Sequence, residues 1–238
     1  MAKMRLDTAM LARKIVETRS QADSFIRMGQ VMVNNQTATK AGQMVNDSDH
    51  VKLTTKEQYV SRAGYKLASV ARQLELDFRT KLVLDVGSST GGFTDFALQQ
   101  GASRVIAVDV GTEQLHPKLR LDERVELHEK TDIRDFEAPV PDIIVIDVSF
   151  ISSREILPTV ARMASRKTQI VLMLKPQFEA GKGVTSGGIV KNERLRRDIL
   201  KDFELWAKRS FIIRAKADSK VAGSKGNLER FYLLQKLA

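Results

Sequence analysis

The sequence predicts an α/β protein, a doubly wound and mostly parallel sheet behind a small N-terminal α+β module. Three observations carry this. From about Lys81 onward, apolar runs alternate with helix-like stretches: KLVLDVG, RVIAVDVG, DIIVIDVSF, TQIVLMLKP and FYLLQKL. Such alternation marks a parallel sheet with helices on both faces. Residues 1–53 instead hold short elements with frequent polar breaks. Finally, 238 residues that are 42% hydrophobic suffice for one medium domain with a sizeable core plus a small one. The boundary is expected at residue 58, giving domains 1–58 and 59–238.

Taken in order, Leu6, Met10, Leu11 and Ile15 have helical spacing. Ser20 is placed to cap a second helix that holds Ala22, Phe25 and Ile26 and is closed by Gly29. QVMVNNQTATKAGQMV alternates as a hairpin does, with Asn34-Asn35 at the turn. A helix from about Ser61 puts Ala63, Leu67, Val70 and Leu74 on one face. KLVLDVG is a buried strand ending at Asp85, followed by a glycine-rich turn and a helix starting near Gly92-Phe93. RVIAVDVG ends at Asp109, and a third strand precedes TDIRDF. DIIVIDVSF brings Asp147 to its end and TQIVLMLKP brings Lys175. LRRDILKDFELWAKRSF reads as an amphipathic helix with Trp206 in the core, and FYLLQKL as a last strand entered from Glu229.

Composition narrows the function. There are no cysteines, which excludes disulfides and thiolate metal sites, and three scattered histidines do not make a metal cluster. The N-terminus lacks the apolar stretch of a signal peptide, and no apolar run is long enough to span a membrane. A cytoplasmic protein is expected, with no metal and no membrane partner; the oligomeric state is not encoded legibly. The net charge of +10 points to a polyanion, with nucleic acid favoured. Residues 1–60 carry +3 of it and the remainder +7, so both parts are basic.

The stretch KLVLDVGSSTGGFTDFALQQGASRVIAVDVG is the most informative. Its glycines are Gly87, Gly91 and Gly92, with Ser89 where a dinucleotide fingerprint needs its second glycine, so a nicotinamide cofactor is disfavoured. A glycine turn at the carboxyl end of the first strand still builds a ligand crevice, and the helix after it can hold a carboxylate. Asp85 can bind an amino group, Asp109 two ribose hydroxyls, and Asp132 an adenine amine. A ligand with an amino-acid end and a nucleoside end satisfies all three, and S-adenosylmethionine is such a ligand. Asp85, Gly87, Ser88, Gly91, Gly92, Phe93, Asp109, Asp132 and Asp147 are the candidate cofactor residues.

Two resemblances sharpen this. Arg5-Leu6-Asp7, Arg19-Ser20-Gln21-Ala22 and the run from Ile26 to Asn34 resemble the RNA-binding domain named for ribosomal protein four of the small subunit, although Arg19-Ser20 inverts its usual order. That resemblance implies a helical face for structured RNA, with Arg5, Arg13, Lys14, Arg19 and Arg27 on phosphates. DVGSSTGGFTD and the motif order resemble Rossmann-like class I methyltransferases, more narrowly the FtsJ-like ribose methyltransferases. Lys66, Asp147, Lys175 and Glu229 match their Lys-Asp-Lys-Glu tetrad. The two modules together, with VSRAGYKL, DVSFIS and KPQFE, resemble the TlyA family of ribosomal RNA cytidine 2′-O-methyltransferases, many of which carry a hemolysin label. Little chain precedes Arg5 or follows FYLLQKL, which matches the family's shorter branch and implies large-subunit RNA.

The expected chemistry centres on Lys175, as a base for the 2′-hydroxyl or as a cation that positions it. Asp147 and Glu229 are expected to hold Lys175, with Lys66 as a second cation. The glycine-rich segment PQFEAGKGVTSGGIVKNER is expected to gate the site. Three other functions compete: a membrane-active hemolysin, an RNA-binding protein with an inactive methyltransferase domain, and a nicotinamide-dependent enzyme. A pseudouridine synthase shares the RNA module but not the glycine loop.

Overall fold

The computed structural model describes residues 3–16, 19–54, 59–180, 188–190, 192–221, 223 and 226–237. Gly181, Gly183 and Gly187 of the expected gating segment lie outside the described residues, as does the 58/59 boundary on its residue-58 side. The chain forms two compact units, Met1–Arg62 and Ala63–Ala238.

In the first unit β1 (Met4–Arg5) pairs antiparallel with β4 (Met44–Val45). Helices α1 (Leu6–Ala12) and α2 (Arg19–Arg27) pack beside a three-stranded sheet in the order β3 (Gln36–Thr37), β2 (Val31–Val33), β5 (Val51–Leu53). The β2–β3 hairpin turns through Asn34 and Asn35, both at left-handed φ (49° and 67°). Two asparagines there suit a type I′ turn, whose twist matches the flanking strands. Three expectations shift. Leu11 is 37% exposed, because Leu6, Ala9 and Met10 fill the core. Ile15 lies beyond α1, which stops where Lys14 turns left-handed at φ 55°. Ser20 falls inside the first turn of α2 rather than capping it.

The second unit is a seven-stranded sheet preceded by α3 (Arg62–Ala71). Its strands are β6 (Leu82–Val86), β7 (Arg104–Val108), β8 (Val125–His128), β9 (Ile143–Ile146), β10 (Gln169–Leu174), β11 (Phe211–Asp218) and β12 (Arg230–Lys236), in the order β11-β12-β10-β9-β6-β7-β8. Strands β6 to β10 run parallel. The FYLLQKL strand, β12, instead lies antiparallel between β10 and β11. Strand β11, which the sequence pattern does not announce, begins four residues after the amphipathic helix α8 (Glu193–Ala207) ends. Buried on both faces, the central strands read as continuous apolar runs. Leu84, Val86, Ile144, Ile146 and Leu172 of one face join Leu157 and Val160 of α6 (Ser153–Met163) and Phe203 of α8 in one core cluster. The alternate residues face the other way, where α4 (Gly92–Gln99) puts Phe93 against Phe231 with ring centroids 6.1 Å apart. Trp206 is half-buried at the edge of the α8 packing, with the Arg154 guanidinium 5.6 Å above its ring, so it flanks the core rather than filling it.

Chain order reverses at β6, which pairs with β7 on one side and β9 on the other. Such a switch point opens a crevice at the carboxyl ends of the strands. Here the β6 turn comes very close to the end of β9: a Cβ on Gly87, at φ +80°, would sit 2.7 Å from the Asp147 carbonyl oxygen. Gly101 has a similar φ of +92°, but a Cβ there would meet only Arg79 atoms at 3.4 Å or more. Gly101→Ala is expected to cost about 1 kcal/mol in urea denaturation, the price of the left-handed conformation alone. Gly87→Ala is expected to cost at least about 2 kcal/mol more, because a backbone carbonyl cannot move aside.

Candidate active site

A cavity of about 490 Å³ opens at the switch point. That volume suits a nucleoside-sized ligand. Gly87 and Ser89 of the glycine turn, Asp109, Asp132 and Asp147 line it, with Val110, Gln114 and the Ser149–Phe150 pair completing the wall. Asp109 follows β7, and backbone amides fix its carboxylate: Ser89 donates to Oδ2 at 2.8 Å and Gly111 to Oδ1 at 2.6 Å. Asp132 caps the short 3-10 turn at Ile133–Asp135. The Arg134 side chain donates to it at 2.6 Å and, with the Arg134 backbone N–H, holds the Asp132 carboxyl below its usual range.

The remaining glycine-turn candidates have different surroundings. Gly91, at φ +91°, is the N-cap of α4 and Gly92 its first residue; a Cβ on Gly91 would run into Leu119 of the short helix α5 (Pro117–Arg120). Phe93 is buried in the α4 packing against Phe231. Ser88 is buried and its Oγ has no hydrogen-bond partner among the described residues. The same holds for Oδ1 of Asp85, whose Oδ2 accepts from the Thr94 hydroxyl at 2.6 Å. Complete burial pushes the Asp85 carboxyl up to about 7; the Thr94 hydrogen bond opposes this, and the Asp147 and Asp109 charges add to it. Asp109 and Asp147 line the cavity, Asp85 is fully buried outside its lining but feels both charges, and a cationic ligand relieves the repulsion among the three. The orphaned Asp85 oxygen and the cavity-lining Asp109 and Asp147 carboxylates fit a ligand with an ammonium or sulfonium group.

The four tetrad residues converge by strand register. Leu172 of β10 pairs with Ile146 of β9, and Leu174 pairs with Arg230 of β12. One residue further, Asp147 leaves β9, Lys175 leaves β10, and Glu229 enters β12 opposite Lys175. Because β12 is antiparallel, its leading end reaches the sheet edge where β9 and β10 finish. Two ion pairs result. Lys175 Nζ lies 2.5 Å from Asp147 Oδ1, and Lys66 Nζ of α3 lies 2.7 Å from Glu229 Oε2. Lys66 and Glu229 expose only 9% and 4% of their side chains. Glu229 therefore holds Lys66, where the sequence reading had it holding Lys175. Lys175 also donates to the Ser149 hydroxyl at 2.7 Å, a contact that sequence spacing did not announce although Ser149 follows Asp147 by two residues.

In the N-terminal unit, four of the five expected phosphate cations have protein partners. Arg5 and Arg19 both donate to Asp7, at 2.9 and 2.8 Å. The Arg5 hydrogen bond, reinforced by Arg19 against the effect of burial, holds the Asp7 carboxyl well below the usual range. Arg13 donates at 2.7 Å to the carbonyls of Asp49 and Asn46, clamping a turn, and Arg27 pairs with Asp23. Lys14 is exposed. Carbonyl and carboxylate partners preserve the positive charge while fixing where the guanidinium points.

Asp85 makes stability depend on pH. Its folded-state value lies above its unfolded one, so the fold holds the proton more tightly and loses stability as pH rises from about 4 to about 7. Asp85→Asn does not titrate. Its stability relative to the parent protein is expected to grow over that window by about 2–4 kcal/mol, read by denaturation at pH 5 and pH 8 without ligand. A constant difference would contradict the buried, crowded carboxyl.

A family model of FtsJ-like methyltransferases matches residues 59–236, and a model of the S4 domain matches residues 4–51. The chain is 38% identical over 233 residues to Hemolysin A of Brachyspira hyodysenteriae, covering 95% of this chain and 97% of that one. It is 34% identical to the 16S/23S rRNA (cytidine-2'-O)-methyltransferase TlyA of Mycobacterium tuberculosis, covering 98% of this chain and 90% of that protein. A solved structure from Streptococcus thermophilus that goes under a hemolysin name shares 37% identity at a TM-score of 0.76, covering 99% of this chain and 89% of that chain. The tetrad edge, the switch-point cavity and these matches agree: the chain belongs to the FtsJ-like methyltransferase family, with an S4 domain ahead of the methyltransferase domain.

Proposed function

We propose that this protein methylates the 2′-hydroxyl of a ribose in ribosomal RNA, a cytidine by likeness to its relatives, with S-adenosylmethionine as donor and large-subunit RNA as the first substrate to test. The observation that carries this is the pair of ion pairs, Lys175–Asp147 and Lys66–Glu229, at the sheet edge beside a carboxylate-rich cavity. An RNA-binding protein with a dead catalytic domain has no use for two lysine–carboxylate pairs held in register there. The hemolysin name of some relatives finds no support in a spanning segment: no helix among the described residues is long and apolar enough to cross a membrane.

The division of labour follows the two domains, 1–58 holding RNA and 59–238 carrying the reaction. Arg5, Arg13, Lys14, Arg19 and Arg27 supply phosphate contacts, which position RNA without reading its sequence. Asp109 and Asp132 hold the nucleoside end of the donor, while Asp85, Gly87 and Ser88 face its amino-acid end. The donor supplies an electrophilic methyl group on a sulfonium sulfur. Lys175 orients the acceptor oxygen: it is ion-paired with Asp147, donates one N–H to Ser149 and has further N–H bonds for that oxygen. Lys175 can take up the released proton only after giving one of its own to Asp147, so the proton ends on the Asp147 carboxyl and Lys175 ends as an ammonium. Lys66, fixed by Glu229, adds positive charge for a polyanionic substrate.

Lys175→Ala is expected to lower methyl transfer to ribosomal RNA at least about a hundredfold while donor affinity, measured by calorimetry, stays within a few-fold. Near-normal turnover in that variant would remove Lys175 from the mechanism.

A further inference from the structure

We propose that the Ser149 hydroxyl is a positioning group for the reaction: it fixes the direction in which the Lys175 ammonium points. This rests on the reading of Lys175 given above. A lysine ends in a freely rotating group on a flexible four-carbon stem. A single carboxylate partner confines it to an arc rather than to a point. Ser149 Oγ, 2.7 Å from Nζ, gives a second acceptor and closes that arc. Asp147 Oδ1, at 2.5 Å, is an ion-pair partner, so the Ser149 hydrogen bond is the directional contact that aims the ammonium.

The contact is imposed by the fold rather than met by chance. Ser149 rides on the segment between β9 and α6, and Lys175 begins the turn α7 (Pro176–Glu179) after β10. These two segments are joined below the site. Glu179, with 1% of its side chain exposed, accepts from the Ser152 hydroxyl and from the Ser153 amide, each at 2.7 Å. Ser152 in turn caps α6 through the Arg154 amide. The exposed Phe150 ring also meets Phe178 across the same junction, tilted by 50° with centroids 5.1 Å apart. The segments that carry the hydroxyl and the ammonium are therefore tied to each other. A hydroxyl also suits both protonation states of a lysine, because it accepts from an ammonium and donates to an amine by rotating about one bond.

The test compares isosteres. Threonine and valine at position 149 have the same shape, and only threonine keeps the hydroxyl. Turnover is read as tritiated methyl transfer from S-adenosylmethionine to ribosomal subunits, with donor affinity by calorimetry and thermal melting as controls for folding. Ser149→Val and Ser149→Ala are each expected to lose about tenfold in kcat, with the KM for subunits and donor affinity within about twofold, and Ser149→Thr to turn over about tenfold faster than Ser149→Val. Equal turnover of the threonine and valine variants, or parental turnover in Ser149→Ala, would overturn the proposal. Lys175→Ala measured alongside separates the two ideas. Loss in Lys175→Ala with none in Ser149→Val removes Ser149 alone, whereas retained turnover in Lys175→Ala removes the reading of the lysine.

Discussion

The site depends on the antiparallel pairing of β12 with β10. That ladder runs Ile170↔Leu234 to Leu174↔Arg230, and it delivers Glu229 to the edge where Lys175 emerges. A parallel last strand would present its other end there. A slip of one residue would turn every side chain of β12 to the opposite face and take Phe231, Tyr232 and Leu234 out of their packing. The apolar burial of the sheet therefore fixes the register, and the register fixes the catalytic edge. Helix α3 needs only to bring Lys66 within reach of Glu229, which it does from the buried stripe that includes Leu67 and Val70.

Charge organises the other half of the site. The protein as a whole is strongly basic, yet at the switch point Asp109 and Asp147 line one cavity and their charges act on the fully buried Asp85. Burying a carboxyl beside two others is unfavourable unless a positive group joins them. The Asp147 charge is answered by Lys175, Asp109 is held by two backbone amides, and Asp85 has the Thr94 hydroxyl and amide but no cation. Asp85 is where a cationic ligand has most to offer. Gly87 lets the two carboxylate-bearing turns approach: any side chain there would strike the Asp147 backbone.

Much of this was legible in the sequence. Asp85, Asp109, Asp147 and Lys175 could be placed at strand ends because buried parallel strands write themselves as unbroken apolar runs, and a charge at the end of such a run is conspicuous. The direction of β12 was not legible, since an apolar run carries no arrow. Strand β11 was missed because its alternating FIIRAKAD, half-exposed at the edge, follows a helix whose amphipathic pattern masks the change of period. The pairing of Glu229 with Lys66 rather than Lys175 is a matter of ångströms that spacing does not encode. The same holds for Ser149, and for Arg13, whose guanidinium clamps two carbonyls although its sequence context reads only as basic. Leu11 shows the limit of periodicity in a helix as short as α1: a shift of one residue, about 100° round the helix, exchanges the buried Met10 for the exposed Leu11.

The most direct measurement is to incubate the protein with tritiated S-adenosylmethionine and separated ribosomal subunits and then map the labelled nucleotide. The account predicts label on ribosomal RNA, resistant to alkaline cleavage at a single cytidine as a 2′-O-methylated ribose must be. Label on a base, or donor binding with no transfer to either subunit, would contradict it.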